Sequence, residues 1–230
     1  MSNSENILVI GGSGDIGSAV ASFFKGDNVT STDSKELNLL DEKIIRSFFK
    51  EKENEGIFFD VLVFCSGINK PETLDNLNID NLNDILQVNC LSLVSILSHN
   101  FMALKKLRSI AILGSLYSFY SRKGRLSYVT SKHALEGVVK TLAIELANKG
   151  INVNTVSPGF IDTKMTRENN SEKQLDRLRC AIPLQRIGKP IDVANAVYFL
   201  TRKESCYITG VNLVVDGGFS TGGFQNLIDE

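Results

Sequence analysis

The sequence predicts an α/β fold with helices on both faces of a parallel sheet. Three observations carry this. Short apolar runs that close on glycine or other turn residues recur along the chain, as at 6–10 ahead of Gly11 and 60–65 ahead of Ser66-Gly67. Stretches with apolar residues at helical spacing separate them. The chain has 230 residues, enough for one large α/β domain with a substantial core but few for two.

The elements follow in order. Residues 6–10 read as a buried strand, and 16–25 as a helix carrying Ile16, Val20, Phe23 and Phe24. Val29 to Asp33 is a second strand. Asp41 reads as the N-cap of a helix with Ile44, Ile45, Phe48 and Phe49 on one face. Residues 60–65 form a third strand, 80–107 a long helix and 109–113 a fourth strand. A second long helix spans 126–149 and stops at Gly150. Residues 151–157 form a strand that Pro158-Gly159 ends. The stretch 162–180 is polar and shows no apolar face. A helix runs from Val193 to Leu200 after Pro190, and Val211 to Val215 is the last strand. No repeat or linker interrupts the pattern, so 1–230 reads as one domain.

Composition excludes several functions. Lys+Arg is 25 and Asp+Glu is 26, a net charge of −1, so a basic nucleic-acid surface is not expected. No apolar run reaches the roughly 18 residues of a membrane helix. The start, MSNSEN, has neither the basic nor the apolar region of a signal peptide, so a cytoplasmic protein is expected. The four cysteines are widely spaced, and the two histidines do not complete a zinc site. Reduced, mostly buried thiols are expected, with no metal.

Residues 11–17, Gly-Gly-Ser-Gly-Asp-Ile-Gly, join a strand to a helix. A pyrophosphate can approach backbone N–H groups only where side chains are absent, and a helix N-terminus adds partial positive charge. Gly11, Ser13, Gly14, Asp15, Ile16 and Gly17 are therefore candidate dinucleotide contacts, in either of two glycine registers, beginning at Gly11 or at Gly12. Asp33 ends the second strand 16 residues after Gly17, where a carboxylate accepts from ribose hydroxyls and repels a 2′-phosphate. NAD(H) is favoured, with NADP(H) as the alternative.

Tyr128 and Lys132 stand four apart, on one helix face. An ammonium near a phenol favours the phenolate and fits the tyrosine for acid–base work. Ser115 follows a strand 13 residues before Tyr128, and Asn89 lies on the preceding helix.

In this order the motifs resemble the classical short-chain dehydrogenase/reductase family, from the glycine turn to Asp216-Gly217-Gly218. The resemblance implies a Rossmann-like doubly wound parallel sheet of about seven strands. It implies hydride exchange between a nicotinamide cofactor and a small secondary alcohol or ketone. Tyr128 would be the general acid/base, and Ser115 would hold the substrate oxygen. Lys132 would lower the tyrosine pKa and bind ribose, and Asn89 would anchor a water relay. Cys65, Ser66 and Gly67 would lie beside the adenine ribose, and Asn38 and Leu39 would contact adenine. Pro158, Gly159, Ile161 and Thr163 would cradle the nicotinamide, and 162–182 would form a substrate lid. In such a lid Arg167, Arg177 and Arg179 could meet an anionic substrate group. Tyr117, Phe119 and Tyr120 are candidate pocket residues. The long helices resemble those of the family's dimers and tetramers, so a homodimer or homotetramer is expected.

The sequence also departs from the family. Ile10 precedes Gly11 where a threonine is usual, Asp15 fills a glycine position, and Phe64, Cys65 and Gly114 replace two asparagines and a serine. Only four residues separate Asp33 from Asn38, too few for the helix that usually joins the second and third strands. Two other readings stay open: a non-catalytic nucleotide-binding regulator on the same fold, and a sugar-nucleotide epimerase or dehydratase.

Overall fold

A computed structural model describes residues 4–99 and 101–222 of the chain. Its strands are β1 (Asn6–Ile10), β2 (Asn28–Thr32), β3 (Val61–Phe64), β4 (Ser109–Leu113), β5 (Asn152–Pro158) and β6 (Asn212–Val215). They form one sheet of order β2-β1-β3-β4-β5-β6, and every pairing is parallel. Successive residues of a strand face opposite ways. Leu8, Ile10, Leu62, Phe64, Ile110 and Ile112 pack into one core layer, and Ile7, Val9, Val61, Val63, Ala111 and Leu113 into the other. Both faces are covered, which is why these strands read as continuous apolar runs.

The helices are α1 (Asp15–Phe23), α2 (Glu42–Asn54), α3 (Ile79–Leu86), α4 (Ser92–Ser98), α5 (Leu126–Glu145), α6 (Lys164–Glu168), α7 (Glu172–Ala181) and α8 (Pro190–Thr201). Ile45, Phe48 and Phe49 of α2, Leu93 and Ile96 of α4, and Leu135 and Val139 of α5 fill the first layer. Val20 of α1 and Val193, Val197 and Leu200 of α8 fill the second. The Asp41 carboxylate caps α2 through Lys43 and Ile44 N–H, as its sequence position predicts. Gly150 adopts φ +72° after the turn that ends α5. Among the described residues, no helix is long and apolar enough to cross a membrane.

Several expectations change. Among the described residues the sheet has six strands, not about seven. The segment after β2 folds into turns, with Leu37 N–H bonded to Asp33 O and Asp41 N–H to Asn38 O. Leu37 and Leu39 both enter the core, so this short link replaces the outer strand as well as its helix. The long helix at 80–107 is interrupted by a π-helical stretch at Gln87–Leu91 and ends at Ser98. Beyond it Phe101 stacks on Phe49, 4.5 Å between ring centroids, and Ala103 O accepts from Phe59 N–H. Those contacts turn the chain out of the helix and toward β4. The polar stretch 162–180 forms α6 and α7, and α7 buries only Leu175 and Ala181. The thiols also differ from expectation. Cys90 is buried and Cys65 half-buried, whereas Cys180 and Cys206 are exposed.

Phe49 is fully buried between Phe48 and Phe101. Phe49→Ala is expected to lower unfolding free energy by about 3–5 kcal/mol in urea titration. A loss under about 1 kcal/mol would contradict this packing.

Candidate active site

The sheet order reverses at β1, and the chain leaves β1 and β3 on either side of the crevice this creates at their C-terminal ends. A cleft of about 1230 Å³ opens there. Its walls come from the loops after β1, β3, β4 and β5 together with α5, α6 and α7.

The glycine turn forms one end. Gly11 has φ +82°, and a Cβ there would meet Ser66 N at 2.8 Å. A Cβ on Gly17 would lie 2.3 Å from Gly11 O, so this glycine lets α1 sit against the turn. Gly14 differs: a Cβ on it would meet nothing closer than Gly11 O at 3.5 Å. The first bond of α1 is Ser18 N–H to Gly14 O, and no side chain caps the helix. The N–H groups of Asp15, Ile16 and Gly17 thus precede the ladder, at residues that line the cleft. The Asp15 carboxylate accepts from Lys164 N–H at 2.7 Å, tying the start of α6 to this turn. Ser13 is exposed and does not line the cleft.

Ser115, Tyr128 and Lys132 line the other part of the cleft. Ser115 ends the extended stretch after β4, and its Oγ accepts from Tyr117 N–H at 3.2 Å. Gly114 precedes it because a Cβ there would press on Ser157 Oγ and Thr155 Cγ2 at 2.5 Å. Lys132 is buried, and its Nζ donates to Leu113 O at 2.7 Å. Burial brings its pKa down to about 8. Nζ lies 5.7 Å from the Tyr128 ring centroid.

The expected lowering of the tyrosine pKa by Lys132 is not what this geometry produces. Burial pushes the Tyr128 phenol up to about 12, and the opposing influences come from the Ser115 hydroxyl and the Arg125 charge. Tyr128 is therefore held as a neutral phenol. Tyr117 packs edge-on against it at 5.9 Å.

Asn89 sits in the π-helical stretch and is fully buried. Its Oδ1 accepts from Ile68 N–H, and its Nδ2 donates to Ile68 O and Ser131 Oγ. Both Nδ2 protons are thereby used, so this amide bridges the loop after β3 to the residue beside Lys132.

The remaining sequence candidates divide. Cys65, Ser66, Gly67, Pro158, Gly159, Ile161 and Thr163 all line the cleft. Burial pushes the Cys65 thiol up to about 12, so it is no nucleophile. Asp33, Asn38 and Leu39 lie outside the cleft lining. Asp33 Oδ1 accepts from Lys35 and Glu36 N–H, and these bonds keep its carboxyl below the usual range. Asn38 Oδ1 accepts from Leu40 N–H, and the Leu39 side chain is in the core. Tyr117 and Tyr120 line the cleft, and Phe119 does not. Of the lid arginines only Arg177 lines it; Arg167 pairs with Asp162, and Arg179 with Glu172 and Asp176. Sequence reasoning missed Arg125, which is 8% exposed and lines the cleft. Its signal was its place one helical turn before Tyr128.

The profile of a family described as enoyl-(acyl carrier protein) reductase matches residues 19–220. The 3-oxoacyl-[acyl-carrier-protein] reductase FabG of Vibrio harveyi is 32% identical over 233 residues, covering 92% of this chain and 95% of the relative. FabG of Buchnera aphidicola is 36% identical over 186 residues, 80% of this chain and 74% of the relative. Among solved structures, the ligand-free aldohexose dehydrogenase of Thermoplasma acidophilum superposes with TM-score 0.86 at 28% identity, covering 95% of this chain and 94% of that one. ElxO with NADP bound superposes with TM-score 0.84 at 26% identity, covering 95% and 99%. The family match spans the Tyr128–Lys132 helix, and the Vibrio harveyi relative and both solved structures cover more than nine tenths of the chain. The chain belongs to the classical short-chain dehydrogenase/reductase family of oxidoreductases.

Proposed function

We propose that the protein interconverts a ketone and a secondary alcohol with a nicotinamide dinucleotide, Tyr128 serving as general acid and base. One observation carries this. A single cleft joins the uncapped N-terminus of α1 to Ser115, Tyr128 and Lys132.

The residues present fit a dinucleotide. A Cβ on Gly14 would touch only Gly11 O, at van der Waals distance, and three N–H groups precede the α1 ladder. Asp15, Ile16 and Gly17 would hold the pyrophosphate. Cys65, Ser66 and Gly67 would border a ribose, and Pro158, Gly159, Ile161 and Thr163 the nicotinamide. When bound, the cofactor supplies or takes up the hydride.

The chain's own residues handle the substrate oxygen and its proton. Ser115 Oγ accepts from Tyr117 N–H, which leaves its own proton to donate to an oxygen in the cleft. Tyr128 Oη keeps its proton at neutral pH and gives it to the carbonyl oxygen during reduction. In the reverse direction Oη takes the proton back. Lys132, fixed on Leu113 O, adds positive charge beside the phenol. Asn89 acts as a positioning residue for α5. The segment 162–182, including α6 and α7, serves as a lid over the substrate; Thr163 and Asn169 line the cleft. Assembly as a homodimer or homotetramer is supported by the exposed Leu91, Val94, Leu126 and Ile144 on the helical face.

NADH is proposed over NADPH, supported by the ionised Asp33 at the end of β2. Fluorescence titration should show tighter NADH binding, and tighter NADPH binding would overturn this preference. Tyr128→Phe should cut turnover at least about 100-fold while cofactor affinity is kept; near-wild-type turnover would refute the acid–base role. Lys132 carries its charge below about 8 and loses it above. The kcat/KM for carbonyl reduction should therefore be level through neutral pH and decline as pH rises past about 8. A profile that rises with pH over that interval would contradict the role given to Lys132.

A further inference from the structure

We propose that Arg125 is the docking point for a carboxylate on the substrate, so that the protein acts on small oxo- and hydroxy-acid anions. This deepens the reading of Ser115 and Tyr128 above and rests on it.

Arg125 is placed where a cation is costly. It is 8% exposed, and it stands at the N-cap of the 20-residue α5, next to the positive end of the helix dipole. Among the described residues, no carboxylate lies within ion-pair distance of it. Its hydrogen-bond partners are two neutral amides: Nη1 donates to Asn69 Oδ1 and Asn169 Oδ1, each at 3.2 Å. Burial, with the nearby Arg122 charge, pushes its pKa down against the raising influence of the Tyr117 and Tyr128 phenols, and no carboxylate is among its partners.

The geometry shows what would pair with this charge. The two Nη1 protons are used by the two amides. The edge formed by Nε and Nη2 has no protein acceptor among the described residues, and Arg125 lines the cleft. That edge presents two parallel N–H donors, the pattern that pairs with both oxygens of a carboxylate. Asn69 comes from the loop after β3 and Asn169 from the end of α6, so the guanidinium is held from two walls. Neutral amides orient it without neutralising it.

The surrounding charge agrees. Six basic and two acidic residues line the cleft, although the chain carries a net charge of −1. Both acids are engaged elsewhere: Asp15 accepts from Lys164 N–H, and Glu168 lies 3.8 Å from Lys164 Nζ. Arg125 and Tyr128 are about one helical turn apart, roughly 5 Å along the axis, so the carboxylate would lie within a few carbons of the reacting carbonyl. A 3-oxoacyl group carries no charge beside its carbonyl, so this site points to a different substrate class from that named for the FabG relatives.

The test pairs pyruvate, acetoacetate and levulinate with their methyl esters, using NADH and NADPH in turn. It adds calorimetric titration of each acid into cofactor-loaded protein. At least one acid should exceed its ester in kcat/KM by about 30-fold or more, and Arg125→Gln should remove most of that ratio. Arg125→Lys should restore part of it, since an ammonium keeps the charge but not the fork. Equal use of acid and ester by the wild-type protein overturns the proposal without needing a variant. So does an Arg125→Gln loss equal for both, which would mark a structural role. So does a preference for dihydroxyacetone phosphate over all three acids. Should no compound turn over, calorimetry separates the two readings. Acid binding that Arg125→Gln abolishes keeps the anion site and removes the redox reading, and no acid binding removes the site.

Discussion

The hydrogen bond from Lys132 Nζ to Leu113 O fixes α5 against the end of β4. Ser115 follows β4 directly, and Tyr128 stands one turn before Lys132, so this bond also sets the distance between the two hydroxyls. A buried ammonium is stable only with good acceptors, and its loss of hydration is what lowers its pKa. The Asn89 amide supports the same junction from the other side through Ser131 and Ile68. The π-helical stretch at Gln87–Leu91 is the local irregularity that carries Asn89 there.

The two ends of the cleft are built on different principles. At the glycine turn, backbone N–H groups and missing side chains do the work, and almost no formal charge is involved. At the other end, side chains from β4, α5 and the lid bring together phenol, hydroxyl, ammonium and guanidinium. Asp15 links the two, since its carboxylate bonds to the first residue of α6. A position where the family usually has glycine therefore ties the glycine turn to the proposed lid. On the far side of the sheet, the shortened link after β2 leaves that strand as the edge.

Much of the fold was legible because buried parallel strands are written as uninterrupted apolar runs, and β1, β3 and β4 fall where those runs are. Asp41 and Gly150 likewise mark helix ends by local chemistry alone. The stretch 80–107 was misread because its apolar residues continue past the break. Phe101 and Ala103 leave the helix for contacts with Phe49 and Phe59, which local spacing does not encode. The missing outer strand had a partial signal in the short gap after Asp33. That Leu37 and Leu39 both turn inward emerged only from packing.

By itself, the sequence determined the parallel α/β order, the glycine turn, and the presence of Ser115, Tyr128 and Lys132, because each depends on local spacing and residue type. The tertiary structure decided their electrostatics. The direction of the Tyr128 shift, the burial of Arg125 and the pairing of Arg167 and Arg179 all depend on how much water and which charges surround a group. Desolvation is a property of the packed chain, and no spacing between residues specifies it.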